Sequence, residues 1–230
     1  MLSVSDLDVS YGRVRALRGV SLTVPDGGSV AVLGPNGAGK SSLMRAIFGQ
    51  VRPTGGTVEW DGEVISGRPA YKCVRSGLAH VPEGREVIAR LSVHENLLMG
   101  AYVADRSTVA EQLEQMLELF PSLRRRLKVA SGRLSGGEQQ MLAIARGLMS
   151  RPRLIAIDEP SMGLAPAVAN MVLEGLRKVH ASGTAVLLVE QNAALALRLA
   201  EDIVVFSHGE VVTSGSAKEL GPEVLDHYAA

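Results

Sequence analysis

The sequence predicts an α/β fold in which a core of parallel strands is flanked by antiparallel strands and interrupted by a helical lobe. Three observations support this prediction. A glycine-rich loop at residues 34–41 lies between a short apolar run and a helical pattern. After residue 150, short apolar runs alternate with a helical pattern, which is typical of parallel strands. Between about residues 90 and 150 the pattern is helical, which predicts an inserted lobe.

The composition is that of one ordinary folded domain. The chain has 230 residues, of which 46% are hydrophobic and 21% charged, and its 24 basic residues balance 24 acidic ones. This neutral balance argues against nucleic acid as the main partner. The single cysteine, Cys73, excludes an internal disulfide and suits a reducing cytoplasm. With no signal-peptide pattern and no apolar run near the ~20 residues that span a bilayer, we expect a cytoplasmic protein.

The first 32 residues alternate apolar and polar side chains with a period of two. The apolar positions are Leu2 and Val4, then Leu7 and Val9, then Val20, Leu22 and Val24. Residues 58–65 continue this pattern as a hairpin, with Asp61-Gly62 at its tip. Antiparallel strands are therefore expected to flank the glycine-rich loop.

That loop, Gly34-Pro-Asn-Gly-Ala-Gly-Lys40-Ser41, fits the phosphate-binding pattern G-x-x-x-x-G-K-[ST]. An apolar run at residues 29–33 predicts a buried strand before it. The glycines let the backbone approach phosphates closely, and the N–H groups of the following helix favour an anion. Lys40 adds a mobile positive charge at the β and γ phosphates, and Ser41 has the residue type that holds Mg²⁺.

The helical lobe is expected to occupy about residues 90–150, and the core about residues 1–89 and 151–230. Thr108 and Glu111 have the spacing of a capping box that opens a helix. Pro121 is expected to end that helix. The whole chain, residues 1–230, is thus interpreted as one domain.

Two adjacent acids, Asp158 and Glu159, follow the apolar run at residues 154–157. At the carboxyl end of a parallel strand, both side chains can reach a crevice. One carboxylate suits Mg²⁺, and the second can orient or deprotonate a water molecule. The alternative is a strand that simply ends at a charged turn, but the upstream phosphate loop favours catalysis. A helix at about 167–181, a strand at 186–189 and a last hairpin at 203–212 complete the core.

A second anion-binding element is predicted at Leu134-Ser135-Gly136-Gly137-Glu138-Gln139. Ser135 and Glu138 form a capping box, which by itself indicates only a helix start. Two glycines at that start also expose backbone N–H groups to an anion. With the phosphate loop and the paired acids, this is the third motif in the chain.

On these motifs the chain resembles the ATP-binding subunits of ABC transporters over its full length. The resemblance implies the ABC ATPase fold, a P-loop NTPase core, and ATP and Mg²⁺ as ligands. It assigns nucleotide binding to Tyr11 (stacked on adenine), Asn36, Gly37, Gly39, Lys40, Ser41 and Ser42. It assigns Mg²⁺ to Ser41, Asp158 and Glu83, and the general base to Glu159. The signature residues Ser135, Gly136, Gly137 and Glu138 would meet the γ-phosphate held by another subunit.

Two positions depart from the common family pattern. Glu83 occupies the place of a glutamine that senses phosphate and metal, and its charge would repel phosphates. Gln191 occupies the place of the switch histidine; it can donate a hydrogen bond to a γ-phosphate but cannot titrate near neutrality. Both are candidate catalytic residues. Whether position 191 takes part in proton transfer, as a histidine there could, is left open.

Three segments, residues 81–85, 159–166 and 189–192, resemble most closely those of the second ATPase of branched-chain amino acid importers. That resemblance implies ATP hydrolysis at the inner face of the membrane, coupled to a transmembrane permease that docks on Val87, Ile88 and Leu91 and on the helical lobe. A second ATPase subunit, different or identical, and indirectly a periplasmic or lipid-anchored substrate-binding protein are the other expected partners. The open alternatives are a urea or amide importer ATPase, a soluble ABC ATPase, and a nucleotide-binding regulator without turnover.

Overall fold

The computed structural model describes residues 1–229, with side-chain burial through residue 225. The strands are β1 (Leu2–Tyr11), β2 (Val14–Val24), β3 (Ser29–Leu33), β4 (Gly55–Trp60), β5 (Glu63–Val64), β6 (Leu78–Val81), β7 (Leu154–Asp158), β8 (Ala185–Glu190), β9 (Asp202–Ser207) and β10 (Glu210–Ser216). The helices are α1 (Lys40–Ile47), α2 (Ala70–Arg75), α3 (Val93–Gly100), α4 (Val109–Leu119), α5 (Pro121–Arg124), α6 (Gly136–Leu148), α7 (Pro166–Ala181), α8 (Ala193–Ala196) and α9 (Ala217–Ala229). None of the helices within residues 1–229 is both long and apolar enough to cross a bilayer.

An antiparallel sheet is formed by the N-terminal strands in the order β2-β1-β4-β5. Alternate residues of β1 and β2 are buried, as the period-two pattern predicts. The predicted turn between β4 and β5 is present: Asp61 and Gly62 have φ of 53° and 78°. Two successive positive φ angles are typical of a type I′ hairpin turn, which Asp-Gly favours.

A mixed sheet of six strands carries the phosphate loop, in the order β10-β9-β3-β8-β7-β6. Strands β9, β3, β8, β7 and β6 are parallel, and β10 pairs antiparallel with β9. Because parallel strands end at the same edge of a sheet, the ends of β3, β8 and β7 lie side by side. The loop from Gly34, the acids Asp158 and Glu159, and Gln191 therefore all lie at one edge of the sheet.

Two apolar clusters sandwich the mixed sheet. On one face, the sheet packs against the antiparallel sheet and α1, with fully buried residues such as Leu43, Met44 and Phe206. On the other face, it packs against α6 and α7, with Leu142 and Leu176 fully buried. Strands β3, β7 and β8 are buried along their whole length, which accounts for their continuous apolar sequences.

The predicted capping box at Thr108 and Glu111 is wrong, although α4 does begin directly after Thr108. The Thr108 side chain accepts no backbone N–H from the first turn of the helix. Its hydroxyl instead donates to the carbonyl oxygen of Asp105 at 2.9 Å. Thr108 already has helical angles, φ −102° and ψ −10°, whereas a capping side chain needs an extended backbone.

Candidate active site

The loop between β3 and α1 has the backbone geometry of a phosphate cradle. Gly37 and Gly39 have φ of 81° and 107°, values that residues with a Cβ rarely adopt. A Cβ on Gly39 would also lie 2.8 Å from the carbonyl oxygen of Ala16. Helix α1 starts at Lys40, and the first N–H groups of a helix have no partner within it. The loop therefore directs unpaired donors and a helix dipole at one point, as an anion site requires.

Lys40 is buried at the base of this loop. Its ammonium nitrogen Nζ donates to the carbonyl oxygens of Gly34 at 2.7 Å and Pro35 at 3.1 Å. It also lies 3.3 Å from a carboxylate oxygen of Glu159, and the two side chains are 5% and 9% exposed. The loop thus holds the positive charge in place, and Glu159, directly after β7, supplies its counter-ion.

Asp158, the last residue of β7, has the features of a cation ligand. Burial raises its pKa to about 6, against a hydrogen bond from the Ser41 hydroxyl that lowers it. Its Oδ1 atom is buried and has no hydrogen-bond partner among the described residues. A buried carboxylate oxygen without a partner, beside a hydroxyl, fits Mg²⁺, which takes oxygen ligands and neutralises the charge. Ser41 and Asp158 are the residues that would hold that ion.

A protein-only metal site is not found in residues 1–229, since no group of three or more His, Cys, Asp or Glu side chains is placed to hold an ion. Two protein oxygens are the number expected when phosphate oxygens and water complete the coordination of Mg²⁺. The donor set therefore suits an ion that binds together with a nucleotide.

Glu159 follows directly and turns away from the strand. Its φ of 47° lies in the left-handed region, which is uncommon for a non-glycine residue and marks sites where the surrounding structure imposes the conformation. Its N–H donates to the carbonyl oxygen of Val189 in β8 at 2.8 Å. This bond fixes the turn, so that Asp158 and Glu159 both reach the edge of the sheet.

A cavity of about 550 Å³ lies over the loop. It is lined by most of the predicted nucleotide-binding residues, namely Asn36, Gly37, Gly39, Lys40, Ser41 and Ser42, and also by Glu83 and Glu159. An adjoining recess of about 230 Å³ is lined by Ser41, Glu83 and Asp158. Glu83 and Ser41 therefore face both spaces, as expected of residues between phosphate and metal.

Three predicted groups lie outside both the cavity and the recess. Gln191 is exposed and lines a neighbouring cavity of about 530 Å³ together with Glu159 and Ser161. Tyr11 is 41% exposed at the end of β1, opposite Val14, and it is Val14 that lines the phosphate-loop cavity. The signature residues lie at the start of α6, away from the residues that line the cavity.

The signature segment has the predicted capping box. The Ser135 hydroxyl accepts the N–H of Glu138 at 3.3 Å, and the Glu138 carboxylate accepts the N–H of Ser135 at 2.9 Å. Gly137 packs so closely on α7 that a Cβ would lie 2.1 Å from a methyl carbon of Val168. Glycine is required there by packing, as well as by access to the backbone.

Some residues of the cavity were not singled out from the sequence. Arg15, Arg18 and His208 also line it. Arg15 forms an ion pair with Asp8 at 2.7 Å. These residues come from two hairpins that are nearly 200 residues apart in the chain, so only the fold brings them to the cavity. Met162, in the loop after Glu159, lines this cavity and also the neighbouring one.

Comparison with known proteins gives a consistent result. Residues 17–162 match the ABC transporter family. The chain is 43% identical to the high-affinity branched-chain amino acid transport ATP-binding protein BraG of Pseudomonas aeruginosa, over 99% of each chain. It is 35% identical to the probable branched-chain amino acid transport ATP-binding protein LivF of Archaeoglobus fulgidus, over 96% of this chain and 94% of that protein.

Solved structures agree with these relatives. The structure of the ADP conformation of MJ1267, an ATP-binding cassette of an ABC transporter, superposes with a TM-score of 0.88. Its sequence is 26% identical, and the match covers 98% of this chain and 94% of that one. The predicted combination of an α/β core, antiparallel strands and a helical insertion is therefore confirmed.

Proposed function

The chain belongs to the ABC transporter family, and from this premise we propose that it hydrolyses ATP to energise the uptake of branched-chain amino acids through a membrane permease. The names of two relatives that match along nearly their whole length support this substrate class. The family supports ATP hydrolysis coupled to transport. In this proposal the chain provides the nucleotide site, and the permease provides the path for the amino acid.

The observation that carries the proposal is the convergence of Lys40, Ser41, Asp158 and Glu159 at one edge of the mixed sheet. Lys40 and the N–H groups of the loop bind the β and γ phosphates. Ser41 and Asp158 hold Mg²⁺, which neutralises charge on the phosphates when it is bound. Glu159 accepts a proton from the attacking water or orients it. Its position 3.3 Å from the ammonium group of Lys40 places it close to the bound phosphates.

A second subunit completes the proposed site. Ser135 and Gly136–Glu138 lie at the start of α6, outside the cavity of their own chain. Two cassettes facing each other would let the signature segment of one bind the γ-phosphate held by the loop of the other. We propose that the partner is a related ATPase, with an identical copy as the alternative.

The permease is proposed to dock on the segment that follows Glu83. In that segment Ile88 is 40% exposed, whereas Val87 and Leu91 are half-buried. Val87 packs against the apolar cluster that contains Leu97 of α3 and Leu142 of α6. The backbone of Ile88 is bound to Asn96 of α3. These hydrogen bonds join the docking segment (residues 86–92) to the helical lobe, so a movement of one is expected to move the other.

The enzymatic part of the proposal is tested by Mg²⁺-dependent ATP hydrolysis of the purified protein with its permease. We expect hydrolysis to disappear in Lys40→Ala, because the phosphates lose their principal cation. Lys72→Ala removes an exposed lysine from α2 and is the charge-matched control, expected to keep wild-type activity. A wild-type protein that binds ATP but never hydrolyses it with the permease present would instead indicate a regulator without turnover.

The substrate class needs a separate test in reconstituted vesicles. We expect ATP-driven uptake of leucine, isoleucine and valine when the permease and binding protein are present. Urea and short-chain amides serve as competing substrates, since importers for these compounds have similar ATPases. Uptake of urea without uptake of leucine contradicts the proposed substrate but leaves the ATPase function intact.

A further inference from the structure

The carboxylate of Glu190 joins two loops that border Glu159 and Gln191. Glu190 is the last residue of β8 and is 3% exposed. Its Oε1 atom accepts the N–H of Ser161 at 3.0 Å. Its Oε2 atom accepts the N–H groups of Gln191 at 3.2 Å and Asn192 at 3.3 Å. Three backbone donors from two separate loops thus converge on one side chain.

These bonds connect Glu159, the proposed water-activating residue, with Gln191, whose amide can donate a hydrogen bond to a γ-phosphate. Ser161 lies two residues after Glu159, and Gln191 directly follows Glu190. The N–H of Glu159 is itself bound to the carbonyl oxygen of Val189. Hydrogen bonds therefore link the loop after β7, which contains Glu159 and Ser161, to the loop after β8, which contains Gln191. They set the distance between the two loops.

The chemistry of position 190 is specific for a carboxylate. All three partners are donors, so both oxygens must accept. Burial raises the pKa of Glu190, while the bonds from the Ser161, Asn192 and Gln191 N–H groups lower it. A glutamine of equal size would offer one oxygen and place an NH₂ group against the remaining N–H donors. An apolar residue would leave all three N–H groups without their hydrogen-bond acceptor, which destabilises both loops.

Glu190 lies near the reacting groups without facing the phosphate loop. It lines the 530 Å³ cavity with Glu159 and Gln191 and is not among the residues around the loop cavity. Resting on the proposed ATPase function, we propose that Glu190 is a positioning residue for hydrolysis, which holds Gln191 in register with Glu159. Glu190 affects the rate of the chemical step, whereas the affinity for the nucleotide depends on the phosphate loop.

The first experiment separates turnover from binding. For Glu190→Gln we expect kcat to fall about 10- to 100-fold, the scale for misplaced catalytic groups, while the Kd for ATP stays within about twofold. Glu190→Asp keeps a carboxylate on a shorter side chain, so its kcat should lie between those of wild type and Glu190→Gln. Glu201→Gln is the matched control: its carboxylate accepts the N–H of Ser29 at the far end of β3, and kcat should be unchanged.

A double-mutant cycle with Gln191→Ala tests whether Glu190 acts through Gln191. We expect Glu190→Gln to lower kcat by a much smaller factor in the Gln191→Ala background than in the wild type. Equal fold-decreases of kcat in both backgrounds overturn the proposal, as does a wild-type kcat in Glu190→Gln. If Glu190→Gln does not fold, Glu190→Asp is measured in the same cycle and is judged by the same criterion. If the wild type does not hydrolyse ATP, the proposed ATPase function is wrong. If the wild type and Glu190→Gln are equally active, only the positioning role of Glu190 is wrong.

Discussion

The ammonium group of Lys40 and the carboxylate of Glu159 are each other's counter-ion, 3.3 Å apart and almost fully buried. One of these residues is proposed to bind phosphate and the other to activate water. A phosphate that binds at the loop therefore competes with Glu159 for the same ammonium group. This competition means that Glu159 affects nucleotide affinity as well as hydrolysis.

The first prediction is that Glu159→Gln binds ADP more tightly than the wild type. Without the carboxylate, Lys40 no longer has to give up a buried ion pair, and we expect the Kd for ADP to fall about 3- to 10-fold. ADP is the informative ligand because it lacks the γ-phosphate that Glu159 would repel directly. Calorimetric titration measures the affinity.

The control for this experiment is Glu63→Gln. Glu63 carries the same charge but is exposed in β5 and pairs with Arg68. Its replacement changes the net charge equally and should leave the Kd for ADP unaltered. An unchanged Kd in Glu159→Gln means that the Lys40–Glu159 ion pair does not oppose nucleotide binding.

The sequence predicts the parts of this site that depend on local pattern. The run at Ser29–Leu33 gives β3 with the bounds expected, and the capping box at Ser135 is present with both of its hydrogen bonds. In these segments the residues that specify the element are neighbours in the chain. The spacing at Thr108 was as good a capping signal as that at Ser135, but the backbone before α4 is already helical. Side-chain spacing alone does not report that conformation.

A second prediction concerns acid stability and His80 in β6. The His80 ring stacks on Phe48, with centroids 4.6 Å apart, and its Nε2 atom is buried without a hydrogen-bond partner among the described residues. Burial, aided by the charge of Arg45, lowers the pKa of His80 to about 4. Between pH 6.5 and about 4 the unfolded chain therefore binds a proton that the folded protein does not, and stability falls as the pH falls.

Replacing His80 with Phe should remove this part of the acid sensitivity. The loss of unfolding free energy between pH 6.5 and 4, measured by urea denaturation, should be up to about 3 kcal/mol smaller in His80→Phe than in the wild type. Asp158 and Glu190 have raised pKa values and therefore increase stability as the pH falls, in both proteins. The test is thus the difference between wild type and His80→Phe in the loss of unfolding free energy. Parallel pH profiles contradict the assignment to His80.

A third prediction follows from the contact between α3 and α6. A Cβ on Gly100 would lie 2.0 Å from the carbonyl oxygen of Arg146, so Gly100→Ala must push the two helices apart. We expect a loss of about 1–3 kcal/mol, typical of overpacking, in thermal or denaturant unfolding. Gly147→Ala is the matched control, since its Cβ would meet only side-chain atoms at 3.2 Å and beyond. Equal stabilities of the two variants contradict the tight crossing.

The contacts of Glu190 and Asn96 show why part of the site was not predictable. The three donors to Glu190 lie on the loops after β7 and β8, and Ser161 is 29 residues from Glu190 in the chain. Asn96 is bound to Ile88 and to Ser131, 35 residues later. A single Asn or Glu in a helical or strand pattern carries no signal for such a role. Only the fold decides which polar side chain is buried beside which backbone donor.

The last prediction is that Asn96 holds the docking segment to the helical lobe. Asn96 is fully buried, its Oδ1 accepts the N–H of Ile88 at 2.9 Å, and its Nδ2 donates to the Ser131 hydroxyl at 3.0 Å. In Asn96→Leu these partners lose their bonds, so we expect about 3 kcal/mol less stability and faster amide exchange at residues 86–92, with unchanged exchange at α1. Asn170→Leu, an exposed change on α7, should alter neither region. Unchanged exchange at residues 86–92 in Asn96→Leu would show that the segment is held by other contacts.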